Sequence, residues 1–395
     1  MTIRTLSLLT ALGAATAVGA CTDHPEAIAP TAVSRSSSAN DNLHSGAVYT
    51  MTDEVTNRVV AYYRQSDGSL VEAGRFPTGG AGSGVGNIFG QGSVVLSGNE
   101  LGARVSVGAK QLLFVTNAGS GDISVFRVEK NELVLVDKES SRGIRPIAVT
   151  VYQDALYVLN QSSATIVGFH LSTDGDLTPI PGSERALAGG PGSNPAQVEF
   201  SRHGEFLVVT ERETANIDVF QFDKRTDLAS PAPVVNRSVG QEPFGFAFDN
   251  RDHLFVTDGF FVVPGAGAAS SYSISDAGVL APITPLASNG GTDTCWLIIT
   301  DNGRFAYVHS FGDSRLSSYT VNADGTLAIL DPVAAFTNTG PGAFDIALSE
   351  GSNYLYALNS GNGTVSGFAV GSKGELTPVS RVGGLPPSTV GLAAR

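Results

Sequence analysis

Seven times in this chain a short apolar strand runs into a polar turn and leaves along a second strand that closes on a hydrophobe. The clearest copy is LFVTNAGSGDISVFRV, residues 113–128; others include LYVLNQSSATIVGFHL (156–171), LVVTERETANIDVFQF (207–222) and LYALNSGNGTVSGFAV (355–370). A unit repeated at this length excludes most folds, because each copy buries its apolar face only by stacking on a neighbour. Residues 43–395 shared among seven copies allow about 50 residues each, the size of a four-stranded propeller blade. Charged residues make up only 15% and glycines number 47, a composition suited to short β-strands and tight turns. The expected fold is all-β: a seven-bladed β-propeller of four-stranded antiparallel blades.

The fourth copy shows one blade in full. Strand a is 195–201, strand b 206–210 and strand c 217–222, with strand d near 233–238. Elsewhere the c–d turn is Asp-Gly, at 67–68, 174–175 and 324–325, supplying the positive φ of a tight hairpin. The first copy has no strand a, and PPSTVGLAA (386–394) carries that pattern at the other end of the chain. The C-terminal strand is therefore expected to join blade one and close the ring, removing the exposed edges of an open stack. Across the strand-a segments, Val94, Val149, Val198, Phe246, Leu297, Ile346 and Val390 form one apolar column. Ser93, Ala148, Gln197, Gly245, Trp296, Asp345 and Thr389 form the next. Side chains alternate along a strand, so the second column is expected to face the central channel. Trp296, the only tryptophan, would either stack on a ligand there or plug the axle.

The N-terminus carries the marks of export. Arg4 precedes an apolar stretch, Leu6 to Val18, too short to span a bilayer, that ends in Val18-Gly19-Ala20-Cys21. This resembles a bacterial lipoprotein cleavage box. Residues 1–20 are read as a lipoprotein signal peptide, Cys21 as the lipidated residue and membrane anchor, and 21–42 as a flexible tether. The propeller would occupy 43–395 at the periplasmic or outer surface of the cell envelope, with the outer membrane favoured, as a monomer. A net charge of −13 argues against nucleic acid as a partner. Only Cys295 remains beside Cys21, so no intrachain disulfide is expected.

In a propeller the d–a and b–c loops share one face. The b–c loops carry Asn117, Asn160, Glu211, Asp258, His309 and Asn359 at matching positions; Asn at a strand end is commonly a turn residue. Glu211, beside Arg212 and near Glu213, is the leading candidate for a general acid or base, against the plainer reading of a solvated turn. The six histidines do not converge as zinc ligands, no spaced Asp motif supports calcium in the loop oxygens, and the haem-attachment pattern is absent, so neither metal nor cofactor is expected. The Gly-rich segment 79–92 lacks a phosphate-loop pattern and reads as a mobile lid over the axle.

The repeats resemble YVTN-type propellers. NPAQVEFSRHGEFLVVTERETANIDVF, residues 194–220, is similar to the seven-bladed lactonase family, which includes 6-phosphogluconolactonases and carboxymuconate-lactonizing enzymes. That resemblance implies a Pro-Arg-His strand and an acid in the following b–c turn. Here Pro195-Ala196-Gln197 stands at the first and Glu211 at the second, while the family's neighbouring His and Arg positions fall near Ile147 and Gly259. The expected function is thus a small-molecule or envelope-ligand binding module with an incomplete catalytic set, using Gln197, Arg212, Asp258, Trp296 and Asp345. The alternative is a hydrolase of lactones or related esters, with Glu211 as general base and Arg145 or His309 stabilising the oxyanion.

Overall fold

The computed structural model describes residues 45–85, 89–97, 111–130 and 132–395. Cys21 and the expected signal peptide and tether lie outside the described residues. Seven antiparallel sheets follow one another along the chain, each built as an inner strand a, then b and c, then an outer strand d. In blade four these are Pro195–Phe200, Phe206–Glu211 and Asn216–Asp223, with the outer strand in two pieces, Leu228–Ala229 and Val234–Arg237. Blade three splits its outer strand in the same way.

Burial follows position in the blade. Strand b is apolar and fully buried, as in Ala155–Asn160 and Leu112–Asn117, because blades cover both of its faces. Outer strands are mostly half-buried or exposed, as in Leu133–Ser140, where only Leu133 is buried. Neighbouring blades are also fastened by a tyrosine in strand b that reaches the c–d turn of the next blade. Tyr157 Oη donates to Asp227 O (2.9 Å), Tyr307 Oη to Gly374 O (3.1 Å) and Tyr356 Oη to Gly68 O (2.8 Å). Blade five has Phe255 at this position, and Ser271 Oγ makes the equivalent bond to Gly325 O (2.7 Å). The turn glycines have no alternative: Gly68 has φ +82°, and a Cβ there would lie 2.3 Å from the Tyr354 ring.

The ring closes as the repeat pattern requires. Val390–Ala394 is the inner strand of blade one and pairs antiparallel with Gly46–Met51, Tyr49 opposite Ala393. Arg395 N donates to Ala47 O at 2.9 Å, and Ser388 Oγ donates to Thr52 O at 2.7 Å. Blade two is the exception to regularity. Its inner strand is only Val94–Leu96, because the chain just before it leaves the blade to cross the axle.

Ending the chain at Thr389 removes the inner strand of blade one and exposes its second strand. The truncated protein is expected to lose cooperative unfolding, with a smaller urea m-value than the full chain and a lag-free rise in aggregation on warming.

Candidate functional site

Residues 89–92 form a plug rather than a lid. Phe89 stacks on Phe344 (ring centroids 5.7 Å apart) and meets Phe311 edge-on at 5.6 Å. Gly90 O accepts from Trp296 Nε1 at 3.3 Å. Gln91 N donates to Ala196 O at 3.0 Å, and Val149 N donates to Gly92 O at 2.9 Å. The Gln91 amide both donates to Leu297 O (2.8 Å) and accepts from Leu297 N (3.1 Å). Four residues thereby tie blades three, four, six and seven together across the axle on the face of the d–a loops. Trp296 is fully buried and packs against Phe244 and Phe344, so it is part of this plug and offers no ring face to a ligand.

Beneath the plug lies a cavity of about 790 Å³ on the axle. Its walls are the inner strands, and its mouth is formed by a–b turns that include Gln153, Arg202, Asp301 and Glu350. It therefore opens on the face opposite the d–a and b–c loops. Gln197 and Asp345, both in the channel-facing column, line it, as does Glu199. The Gln197 amide accepts from Phe246 N (2.7 Å) and donates to Phe246 O (2.9 Å) and to Glu199 Oε2 (2.7 Å). Asp345 accepts from Ile346 N at 2.9 Å and Leu392 N at 3.1 Å. Burial pushes its carboxyl up to about 7, against the pull of those two donors.

The structure does not bring Glu211, His309 and Arg145 together as a reacting group. Glu211 is fully buried and accepts from Gly189 N (2.9 Å), Thr214 Oγ1 (2.8 Å) and Asn216 Nδ2 (2.9 Å). It fastens the b–c turn of its own blade to the d–a loop that arrives from blade three. Its counterparts do likewise: Asn160 Nδ2 donates to Ser141 O (3.1 Å), and Asp258 accepts from Ser238 Oγ (3.0 Å) and Ser270 Oγ (2.7 Å). His309 is not in this ring, because Ser310 is the residue opposite the start of strand c in blade six. His309 lies one position earlier, in register with Thr210 and Thr257. Those threonines donate to Phe244 O (2.6 Å) and Cys295 O (2.8 Å) of the next blade. His309 Nδ1 does the same to Phe344 O (3.3 Å), leaving Nε2 to accept from Thr337 Oγ1 (3.0 Å). Burial lowers its pKa to about 3, so the ring is neutral and serves as an inter-blade tie. Arg145 is half-buried and adopts φ +60° geometry (φ 63°) just before Pro146, its carbonyl accepting from Gln161 N at 2.9 Å.

That left-handed position recurs before the inner strands, at Asn194 (φ 52°), Glu242 (φ 57°) and Asp293 (φ 57°). Two of these residues form a group that the sequence reading missed. Glu242 is 1% exposed and pairs with Arg212, whose guanidinium also lies over the rings of Phe244 (5.0 Å) and Phe89 (5.6 Å). Asp293 beside them accepts from the Cys295 thiol at 3.2 Å. Burial, with the Glu242 charge second, raises Asp293 to about 6. A residue before Pro at the end of three d–a loops (Arg145-Pro146, Asn194-Pro195, Glu242-Pro243) was the available signal for Glu242; Asp293 is followed by Thr294 and carried none. Among the described residues, two histidine–carboxylate groups have donor atoms close enough to share an ion: Asp154, His170 and Asp227, and His203, Glu205 and Asp252. Both are largely exposed, and the second holds the Lys224 ammonium 3.1 Å from Glu205.

A family model described as Lactonase, 7-bladed beta-propeller matches residues 44–188. A 6-phosphogluconolactonase of Yersinia pestis (strain Pestoides F) is 22% identical across 69% of this chain and 94% of its own. The 6-phosphogluconolactonase of Sodalis glossinidius (strain morsitans) is 23% identical across 68% of this chain and 80% of its own. Of the solved structures, the Pseudomonas aeruginosa periplasmic gluconolactonase PpgL aligns with a TM-score of 0.67 and 18% identity, covering 88% of this chain and 99% of that one. A Lactobacillus plantarum protein gives 0.70 at 14% identity, covering 89% and 100%. The chain is a lactonase-like seven-bladed propeller, related to the 6-phosphogluconolactonases. Within this propeller the loop face is closed by Phe89–Gly92, and the axial space opens at the a–b turns.

Buried carboxyls set a pH dependence. Burial holds Asp218, Asp258 and Asp345 at about 7, against about 3.9 in an unfolded chain. A raised folded pKa stabilises fully below the unfolded value, and that stability is lost as pH rises through 7. Each such group costs up to about 1.4 kcal/mol per pH unit over that window. His309 opposes this between about pH 3 and 6.5, one group against these three and Asp293, raised to about 6. The melting temperature is therefore expected to be higher at pH 5.5 than at pH 8, and Asp258→Asn should flatten the profile measured by scanning calorimetry.

Proposed function

We propose that the protein is a ligand-binding module whose small-molecule site is the axial cavity, entered from the a–b turn face. The observation that carries this reading is the cavity of about 790 Å³ below a sealed loop face, within the usual range of small-molecule sites. Its polar groups are few and fixed in place: Gln197 is held by the Phe246 backbone and Asp345 by two backbone donors. Glu211, the leading candidate for catalysis, is occupied by donors of its own blade and of the loop that leads into it. Lipidation at Cys21 would present this site at the cell envelope.

Ala347 lines the cavity and is separated by two positions from Asp345 on the same strand. A thermal-shift screen of metabolites against the full chain should find a stabilising compound, and Ala347→Trp should abolish that shift by filling the cavity. Ile298→Trp, on another wall, should do the same, while Glu211→Gln leaves the shift unchanged. A stabilising compound whose effect survives both tryptophan variants would place binding elsewhere.

A hydrolytic reading is supported by the relatives named as 6-phosphogluconolactonases and by the carboxylates beside Arg212. In that reading Glu242 and Asp293, rather than Glu211, supply the base, since Asp293 titrates near 6 and a base of that pKa suits neutral pH. Turnover of 6-phosphogluconolactone or glucono-lactone lost by more than 100-fold in Glu242→Gln, with kcat rising through about pH 6, would establish this reading over the first. Absence of turnover in the unaltered protein removes it.

A further inference from the structure

Resting on the cavity as the ligand site, the charges along its wall point to a class of ligand. Among the described residues its lining includes four carboxylates, Glu199, Asp301, Asp345 and Glu350, against one guanidinium, Arg202. His203 also lies at the mouth, where its Nδ1 pairs with Asp252. An anionic sugar acid entering here would face an excess of like charge.

The carboxylates occupy different depths. Aligning the inner strands by their pairing, Asp345 shares its level with Gln197 under the plug, and Glu199 stands two positions nearer the mouth. Asp301 and Glu350 stand in the a–b turns, at the level of Arg202. At the rise of a strand, these levels lie about 7 and about 16 Å from Asp345. At the level of Glu199 the rest of the wall is apolar, with Val95, Ile298 and Ala347. A single metal ion does not match this pattern, since ion binding needs convergent oxygens. No cavity carboxylate belongs to either of the close donor groups found among the described residues. An extended chain with positive charges separated by methylenes does match it.

We propose that the axial cavity binds a linear aliphatic polyamine, its ammonium groups spaced along the levels of Asp345, Glu199 and the mouth carboxylates. The methylene segments lie on the apolar wall.

The test is calorimetric titration of the full chain with spermine, with putrescine, glucose and 6-phosphogluconate as shorter, neutral and anionic comparisons. Spermine is expected to bind with one-to-one stoichiometry and at least ten-fold more tightly than putrescine. Glu199→Gln and Glu350→Gln should each weaken spermine five-fold or more, whereas Glu184→Gln, on the exposed outer connector of blade three, should not. Glu350 is exposed, so its variant keeps the test decisive should a deeper change impair folding. Trp296, just above the cavity, should report occupancy by a fluorescence change. Multisite, salt-erased binding unaffected by Glu199→Gln, or no binding at all, overturns the polyamine assignment. If glucose or 6-phosphogluconate binds instead and Ala347→Trp abolishes it, the cavity reading stands and the polyamine assignment falls. If no compound responds to Ala347→Trp, both fall.

Discussion

Every blade of this ring ends, at its inner edge, in a strand with no further strand beside it. The backbone groups on those edges face the axle, and buried ones need partners. This requirement accounts for most of the polar side chains near the centre. Gln91 and Gln197 each spend a whole amide on the N–H and C=O of one residue in another blade, Leu297 and Phe246. Asp345 takes two N–H groups, one from the C-terminal strand. Thr210, Thr257 and His309 reach inner-strand carbonyls from the second strand of the preceding blade. Side chains that could pass for a binding ring in a one-dimensional alignment are thus, in large part, the means by which seven sheets become one domain.

The repeat made the architecture legible. The blade count, the C-terminal strand in blade one and the Asp-Gly turns all follow from local chemistry that recurs with fixed spacing, and the positive φ at Gly68, Gly175 and Gly325 agrees with it. The channel-facing column also stood in the sequence, because strand alternation is obligatory. What escaped was anything set by contacts between distant segments. Nothing local to residues 89–92 says that they cross the axle to reach Trp296 and Leu297 about two hundred residues later. His309 was aligned one position out of register, and a one-residue slip moves a side chain to the other side of its strand. Glu242 and Asp293 were hidden because the loops that hold them differ in length, although the Pro after Glu242 marked the place.

The relation to the 6-phosphogluconolactonases is a relation of frame. Blade pairing, ring closure and the tyrosine ties depend on backbone geometry that many sequences satisfy, and fold alone does not carry an activity. The face on which this chain departs most from a simple ring is the one closed by Phe89, Gly90 and Gln91. The loops there hold Glu211 and Asp258 in internal hydrogen bonds, and the Arg212–Glu242 pair sits beneath an aromatic cover.

The plug also turns the axle into a blind alley. In a pore open at both ends, incoming solute can push water ahead of it and products can leave downstream. Here whatever enters past Asp301 and Glu350 must exchange places with outgoing water in the same opening, and must depart by reversing its own path. Long, thin molecules suit such a dead end, since they leave room for water to slip by. Exchange in it is governed by how quickly the occupant can back out.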